Sequence, residues 1–206
     1  MIDQEYTTQA QVEGYLLETV PDALVPRLEE YILAVGLFIA RYTGRQFVAE
    51  AAASARVFDG DDTSEMLIDE CVAVTLVERG NDSYGSSFTT IATGGSSGYV
   101  LLPNNAAALS KPFRKILYRG GEWACGVQNN RITARWGYSI TPPADIQFAA
   151  TVFAAGIINA QQPNAGQVSS EKIGNYAVTY KTPAGMADYE RALAILDQYK
   201  RYEILH

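Results

Sequence analysis

Histidine is almost missing from this 206-residue chain, and its single copy, His206, is the last residue. That excludes His-based catalytic triads, His-ligated zinc and a histidine general base together. Cysteine is scarce as well: Cys71 and Cys125 stand far apart, with no CxxC spacing. This excludes a dithiol redox motif or a cysteine zinc site and fits free thiols in a reducing cytoplasm, as does the lack of a signal-peptide pattern. No apolar run approaches the ~20 residues of a membrane span. Tyr31 to Ala40 is apolar throughout, but Glu29, Glu30 and Arg41 bound it, and it reads as a buried helix. Positive charge is in deficit, with 16 Lys and Arg against 23 Asp and Glu and a net charge of −7. Phosphate contacts need clustered bases, so this balance argues against a general DNA binder.

What is present is an ordinary globular mixture, 48% hydrophobic and 19% charged, long enough for one large domain or a domain carrying an insertion. The charge is unevenly placed. Residues 1–70 hold 14 acids and 4 bases, and residues 71–206 hold 9 acids and 12 bases, so net charges of −10 and +3 make up the total. Between Lys111 and Arg135 the bases Lys111, Arg114, Lys115, Arg119, Arg131 and Arg135 face only Glu122. They read either as a solvated β-surface or as one side of a charge-complementary contact between subunits, which sets register and encounter rate more than affinity.

Thr8-Gln-Ala-Gln has the form of a capping box and predicts a short helix over about Gln9–Glu18. Pro21, Asp22 and Pro26 open a second helix that runs to about Thr43, with Gly44 as its stop. In it Leu24, Leu28, Tyr31, Ile32, Val35, Phe38, Ile39 and Tyr42 make one broad apolar stripe, while Leu33 and Leu37 lie on the opposite side. A helix apolar on both sides needs two partners. From Phe47 the period changes to two. Candidate strands are Ala55–Phe58, Met66–Ile68, Val72–Glu78, Phe88–Ile91, Tyr99–Leu102, Phe113–Tyr118, Trp123–Val127 and Arg131–Trp136, with Gln128-Asn-Asn as a hairpin tip. A third helix over about Ala144–Gln161 repeats the two-sided pattern. Ile146, Ala149, Ala150, Phe153 and Ile157 line one face, and Phe148, Val152 and Ala155 another. Gln161–Ser170 reads as a polar loop, Lys172–Tyr180 as a strand or extended arm, and Met186–Tyr202 as a last helix.

The exit from the β-rich block is the most distinctive stretch. Ile132, Ala134 and Trp136 alternate with Arg131, Thr133 and Arg135, Gly137 takes the turn, and Thr141-Pro-Pro-Ala-Asp leads into an alanine-rich helix with Thr141 or Pro142 as its cap. Trp136-Gly-Tyr followed by Pro143-Ala-Asp-Ile resembles the head–tail connector, or head-completion adaptor, proteins of tailed bacteriophages. Tyr6-Thr-Thr, Arg41-Tyr-Thr-Gly-Arg-Gln-Phe and Glu171-Lys-Ile-Gly-Asn-Tyr-Ala-Val-Thr-Tyr agree with it in order. The resemblance spans most of the chain but not the stretch from about Asn81 to Asn105. It implies a ring of about twelve subunits that arrive as monomers and oligomerise on a portal protein, followed by a tail-side connector or stopper. DNA would pass through the ring without sequence-specific binding, and the protein would be made in the bacterial host cytoplasm and end in the virion. It also implies no enzyme activity, no cofactor and no membrane.

Other chemistries fit these residues less well. Asp59-Gly-Asp-Asp-Thr-Ser-Glu places Asp61 and Glu70 at the third and twelfth positions of a calcium loop, but the sixth is Ser64 instead of glycine, and a solvated turn reads better. Gly94-Gly-Ser-Ser-Gly lacks the lysine and the helix of a phosphate loop. Trp123, Trp136 and the 13 tyrosines leave a β-sandwich recognition module for glycans or proteins as the alternative function, and the Asp59–Asp62 cluster leaves a metal hydrolase as a further rival.

The reading is therefore an α+β fold. Residues 1–46 and 139–206 form a helical unit, and 47–138 an inserted antiparallel β-sandwich or barrel-like module. Leu33, Leu37, Phe148 and Val152 are the candidate subunit contacts. Tyr199, Lys200, Arg201 and Tyr202 are the candidate portal contacts, since aromatic and arginine side chains are enriched among binding anchors. No catalytic, cofactor or metal residue is assigned.

Overall fold

The computed structural model describes residues 4–161, 170–173, 176–179 and 186–201. The described residues divide into two compact units, one formed by residues 46–141, the other by residues 4–45 and those from 142 to 201.

The second unit is helical. α1 (Gln9–Leu16) starts at the expected capping box: the Gln11 N–H donates to Thr8 Oγ1, and the Thr8 N–H donates to Gln11 Oε1 at 2.9 Å. It stops two residues earlier than expected, because Leu17 turns left-handed at φ +58 and stands in solvent. α2 (Val25–Thr43) has a proline in its first turn and ends where Gly44, at φ +67, donates its N–H to the Ala40 carbonyl. A side chain would be strained in that conformation. α3 (Ala144–Asn159) is capped by Pro143, not by Thr141 or Pro142, and Pro143 offers no side-chain acceptor. Asp145 takes over part of that task by accepting from the Ile146 N–H. α3 packs against α1, α2 and α4 (Met186–Tyr199). Its run Ala149 to Ala155 is buried without a break, so it is the axis of the unit and not a two-faced surface helix. Two β-strands, Ser170–Ile173 and Tyr176–Thr179, pair antiparallel between α3 and α4 in the chain.

The first unit is an antiparallel sheet of six strands: β1 (Ser54–Gly60), β2 (Glu65–Gly80), β3 (Phe88–Thr90), β4 (Tyr99–Leu102), β5 (Phe113–Tyr118) and β6 (Gly126–Trp136). The order is β1-β6-β2-β5-β4, with β3 beside the far end of β2. The expected strands Met66–Ile68 and Val72–Glu78 are one strand that runs through an irregularity: its register against β5 shifts between Leu67 and Cys71, and there the Glu70 carbonyl accepts from the Gly137 N–H. β2 pairs with β5 before Cys71 and with β6 after it.

Likewise Gln128-Asn-Asn is not a hairpin tip. It is a bulge inside β6, with Gln128 at φ +52, where the register against β1 shifts between Phe58 and Gly60. Asn129 and Asn130 are buried there. Asn129 Oδ1 accepts from the Gly60 N–H and from Asn130 Nδ2, and its Nδ2 donates to the Ala124 carbonyl at 2.8 Å. Trp123, Trp136, Ile116 and Ile132 form the core of this unit, each with no more than 1% of its surface exposed. Gly137 follows at φ +135, as the turn after β6 requires.

Candidate functional site

α2 buries Leu28, Ile32, Val35 and Ile39, a spacing of three and four that puts them on one face. Each such burial stabilises the unit by roughly 1.5–3 kcal/mol. Gly36 is buried beside them because the N-terminal segment crosses there, and a Cβ would overlap the Gln4 carbonyl. The other side of α2 carries Leu33, 44% exposed, and Leu37, 39% exposed, one turn apart. Phe38 joins them at 43% exposure. It was expected in the buried stripe, but Val35 and Ile39 fill the inner face and leave Phe38 on its edge. Ala34 is exposed between them, and Glu29, Glu30 and Arg41 bound the strip in solvent. None of those three charged groups has an ion-pair partner among the described residues.

Beside this strip lies an apolar groove of about 260 Å³ lined by Ala34, Val35 and Phe38 of α2, Phe153 and Ile157 of α3, and Tyr189 of α4. Its aromatic rings meet edge to face, Phe38 to Phe153 at 5.7 Å and Phe153 to Tyr189 at 5.0 Å between centroids. This arrangement suits the ring quadrupoles and fixes the groove's walls. Of the two candidates on α3, Phe148 is half-buried with the Arg191 guanidinium over its ring at 5.5 Å. Val152 has only 4% of its surface exposed and is covered by its own chain.

The C-terminal candidates lie elsewhere on this unit. Tyr199 is tied inward: its hydroxyl donates to Asp145 Oδ2 at 2.8 Å, and its carbonyl accepts from Arg45 Nε. Lys200 pairs with Asp197 at 2.7 Å and sits 4.2 Å from the Tyr42 ring centre. Tyr42 donates to the same carboxylate. Lys200 and Tyr42 together hold the Asp197 carboxyl below its ordinary value. Arg201 is exposed, its backbone N–H held by the Thr43 carbonyl. Tyr202 lies outside the described residues. These side chains therefore split into a packed Tyr199, a paired Lys200 and an outward Arg201.

The acidic turn is occupied by its own backbone. Asp59 accepts from the Gln128 N–H, Asp61 from the Thr63 N–H and hydroxyl, and Asp62 from the Cys125 N–H. Asp59 and Asp62 thus tie β1 and the turn after it to β6 and its approach, and Asp61 closes the turn on itself. Among the described residues no three His, Cys, Asp or Glu side chains converge as metal ligands. The 94–98 loop folds back on β4, with the Gly94 N–H donating to the Tyr99 carbonyl and Arg119 to the Gly95 carbonyl. Both tryptophans are in the core, their indole N–H groups donating to the Ser64 and Ser54 carbonyls, so neither offers a stacking platform. Cys71 is fully buried, and burial, then the nearby Asp69, pushes its thiol up to about 12, which keeps it protonated and unreactive.

Part of the basic cluster is neutralised by ion pairs, Lys115 and Arg131 among its six members. Arg131 makes a two-pronged contact to Glu78, Lys115 meets Glu65, and Arg56 bridges Glu50 and Asp69. The sequence order hid Glu78, Glu65 and Asp69 as partners because each lies on a different strand from its base.

Among the described residues no helix is long and apolar enough to cross a membrane. No protein-family profile matches the chain, and no curated protein does. Solved structures share its fold. A chain from the neck of an empty gene transfer agent (GTA) particle, computed with C6 symmetry, is 14% identical with a TM-score of 0.57. A chain from the virion of the native gene transfer agent particle is 16% identical with a TM-score of 0.57. Each comparison covers 100% of this chain and 94% of the other.

Proposed function

We propose that this protein is a structural subunit of the neck of a tailed-phage-like particle, forming a ring beneath the portal that joins head to tail and continues the DNA channel. The observation that carries the reading is the whole-chain likeness to chains of gene transfer agent necks and virions, which spans both units and not a shared subdomain. The ordered resemblance from Tyr6-Thr-Thr to the stretch before α4 points the same way. C6 symmetry in one of those necks is compatible with a ring of about twelve subunits, since closed rings follow from a repeated heterologous interface.

In this role the helical unit of residues 1–46 and 139–206 builds the ring and binds the portal, and the β-module of 47–138 meets a neighbour or the next tail component. Leu33 and Leu37 are the subunit contact and half-buried Phe148 is a second one on α3, while Val152, covered by its own chain, does not reach a neighbour. Arg201, with Lys200 and Tyr202, is the portal contact, while Tyr199 holds the end of α4 in place. The mechanism is geometric and needs no catalytic group. The ion pairs of Arg56, Lys115 and Arg131 withdraw part of the sheet's positive charge from DNA, which suits a channel through which DNA slides without being held.

Co-sedimentation with a purified portal tests the reading. The portal should carry this protein down the gradient in a ratio near one subunit per portal chain. Separate migration at every ratio would refute it.

A further inference from the structure

The exposed strip of α2 is complementary to itself when reversed. Reading along the helix, the order is acid, apolar, apolar, base: Glu29 and Glu30, then Leu33 and Ala34, then Leu37 and Phe38, then Arg41. The spacing is four residues throughout, so these side chains form a ridge of the kind that interdigitates with a like ridge on another helix. Place a second α2 antiparallel across a two-fold axis near Ala34 and Val35. Leu33 then faces Leu37 and Phe38 of the other copy, Ala34 allows close approach at the axis, and the two acids face Arg41 at both ends. Glu29 and Arg41 are about 18 Å apart along the helix, far enough that neither satisfies the other within one chain. The structure leaves all three charges without an ion-pair partner among the described residues.

We infer that the free protein pairs with a second copy of itself through antiparallel α2 helices, covering Leu33, Leu37 and Phe38 until a portal draws the subunits into a ring. The inference rests on the reading above that the same leucines are the ring contact. A two-fold contact is closed and stops at two, whereas a ring needs each subunit to offer different faces to its two neighbours. The dimer is therefore a holding state: it hides an apolar strip and prevents untemplated polymers. Its ends are exposed ion pairs, so it weakens as salt rises.

The decisive test is a charge swap on the full chain, read by sedimentation equilibrium. The wild-type protein should be a dimer at low salt. Arg41→Glu alone, and Glu29→Arg with Glu30→Arg alone, should each raise the dissociation constant about tenfold or more. An equimolar mixture of the two variants should recover the wild-type constant as a heterodimer, because every acid again faces a base. Circular dichroism of each variant should match the wild type. A monomeric wild type, larger oligomers in place of dimers, or a mixture no tighter than its components would overturn the inference. Ring formation on portals is scored separately. Rings without a free dimer would sink this inference and leave the neck reading standing; a charge-swappable dimer with no rings would do the reverse.

Discussion

Asn129 binds three groups at once, the Gly60 N–H, the Asn130 amide and the Ala124 carbonyl, all within the β-unit. Leaving buried polar groups unpaired costs roughly 1–3 kcal/mol each, so Asn129→Ala should lower the unfolding free energy by about 3 kcal/mol, measurable by urea titration. Sequence alone put this asparagine at an exposed tip, because asparagine at positive φ is the usual mark of a turn. The backbone does take positive φ, but at Gln128, one residue earlier.

Cys71 and Cys125 give a second residue-scale check. A thiol reagent should label Cys125, which is exposed, and reach Cys71 only in denaturant. Rapid labelling of both would contradict the buried position of Cys71. Glu78 supplies a pH test. Its hydrogen bonds from Arg131 hold its carboxyl below the ordinary value, so the unfolded chain takes up the proton first on acidification. The contribution is complete above the unfolded value and is lost as pH falls through the folded one. Glu78→Gln should accordingly flatten the acid limb of a thermal-stability profile while leaving the slope above neutrality unchanged.

The helices were legible at the scale of the element because their punctuation is local. The Thr8 capping box, Pro26 and Gly44 each act on the nearest turn of backbone, and α1 and α2 begin or end close to where those residues put them. The two-sided character of α2 was equally readable, since Leu33 and Leu37 fall opposite Leu28 and Val35 whatever surrounds them. What could not be read was the length of β2 and β6. Asp69 and Glu70 look like a break between strands, yet Asp69 meets Arg56 and the Glu70 carbonyl accepts from Gly137. Partners so distant in sequence leave no local sign. Nor did periodicity show that α3 is enclosed nearly all round, which took Val152 out of reach of a neighbour. Two substitutions separate inner from outer α2. Leu37→Asp should fold with wild-type circular dichroism yet fail to assemble on portals. Ile39→Asp places an unpaired charge in the buried face and should lower stability by several kcal/mol, to the point of unfolding, on the order expected for buried charges. Unfolding by Leu37→Asp would place that leucine in the core and remove it from the interface.

For the whole molecule, the division of labour between a helical unit and a sheet unit gives the chain two chemically different faces to offer in an assembly. The helical unit has an exposed apolar strip and groove. The sheet unit spends many of its charges on internal pairs. The net charge of −7 for the whole chain repels a polyanion such as DNA and bears on the rate of encounter with partners. The most direct test of the neck assignment is electron microscopy of the full chain mixed with purified portal. It should show an added ring stacked coaxially on one end of the portal, with rotational order compatible with C6. Bare portals at saturating protein, or subunits scattered around the portal without a closed ring, would contradict it.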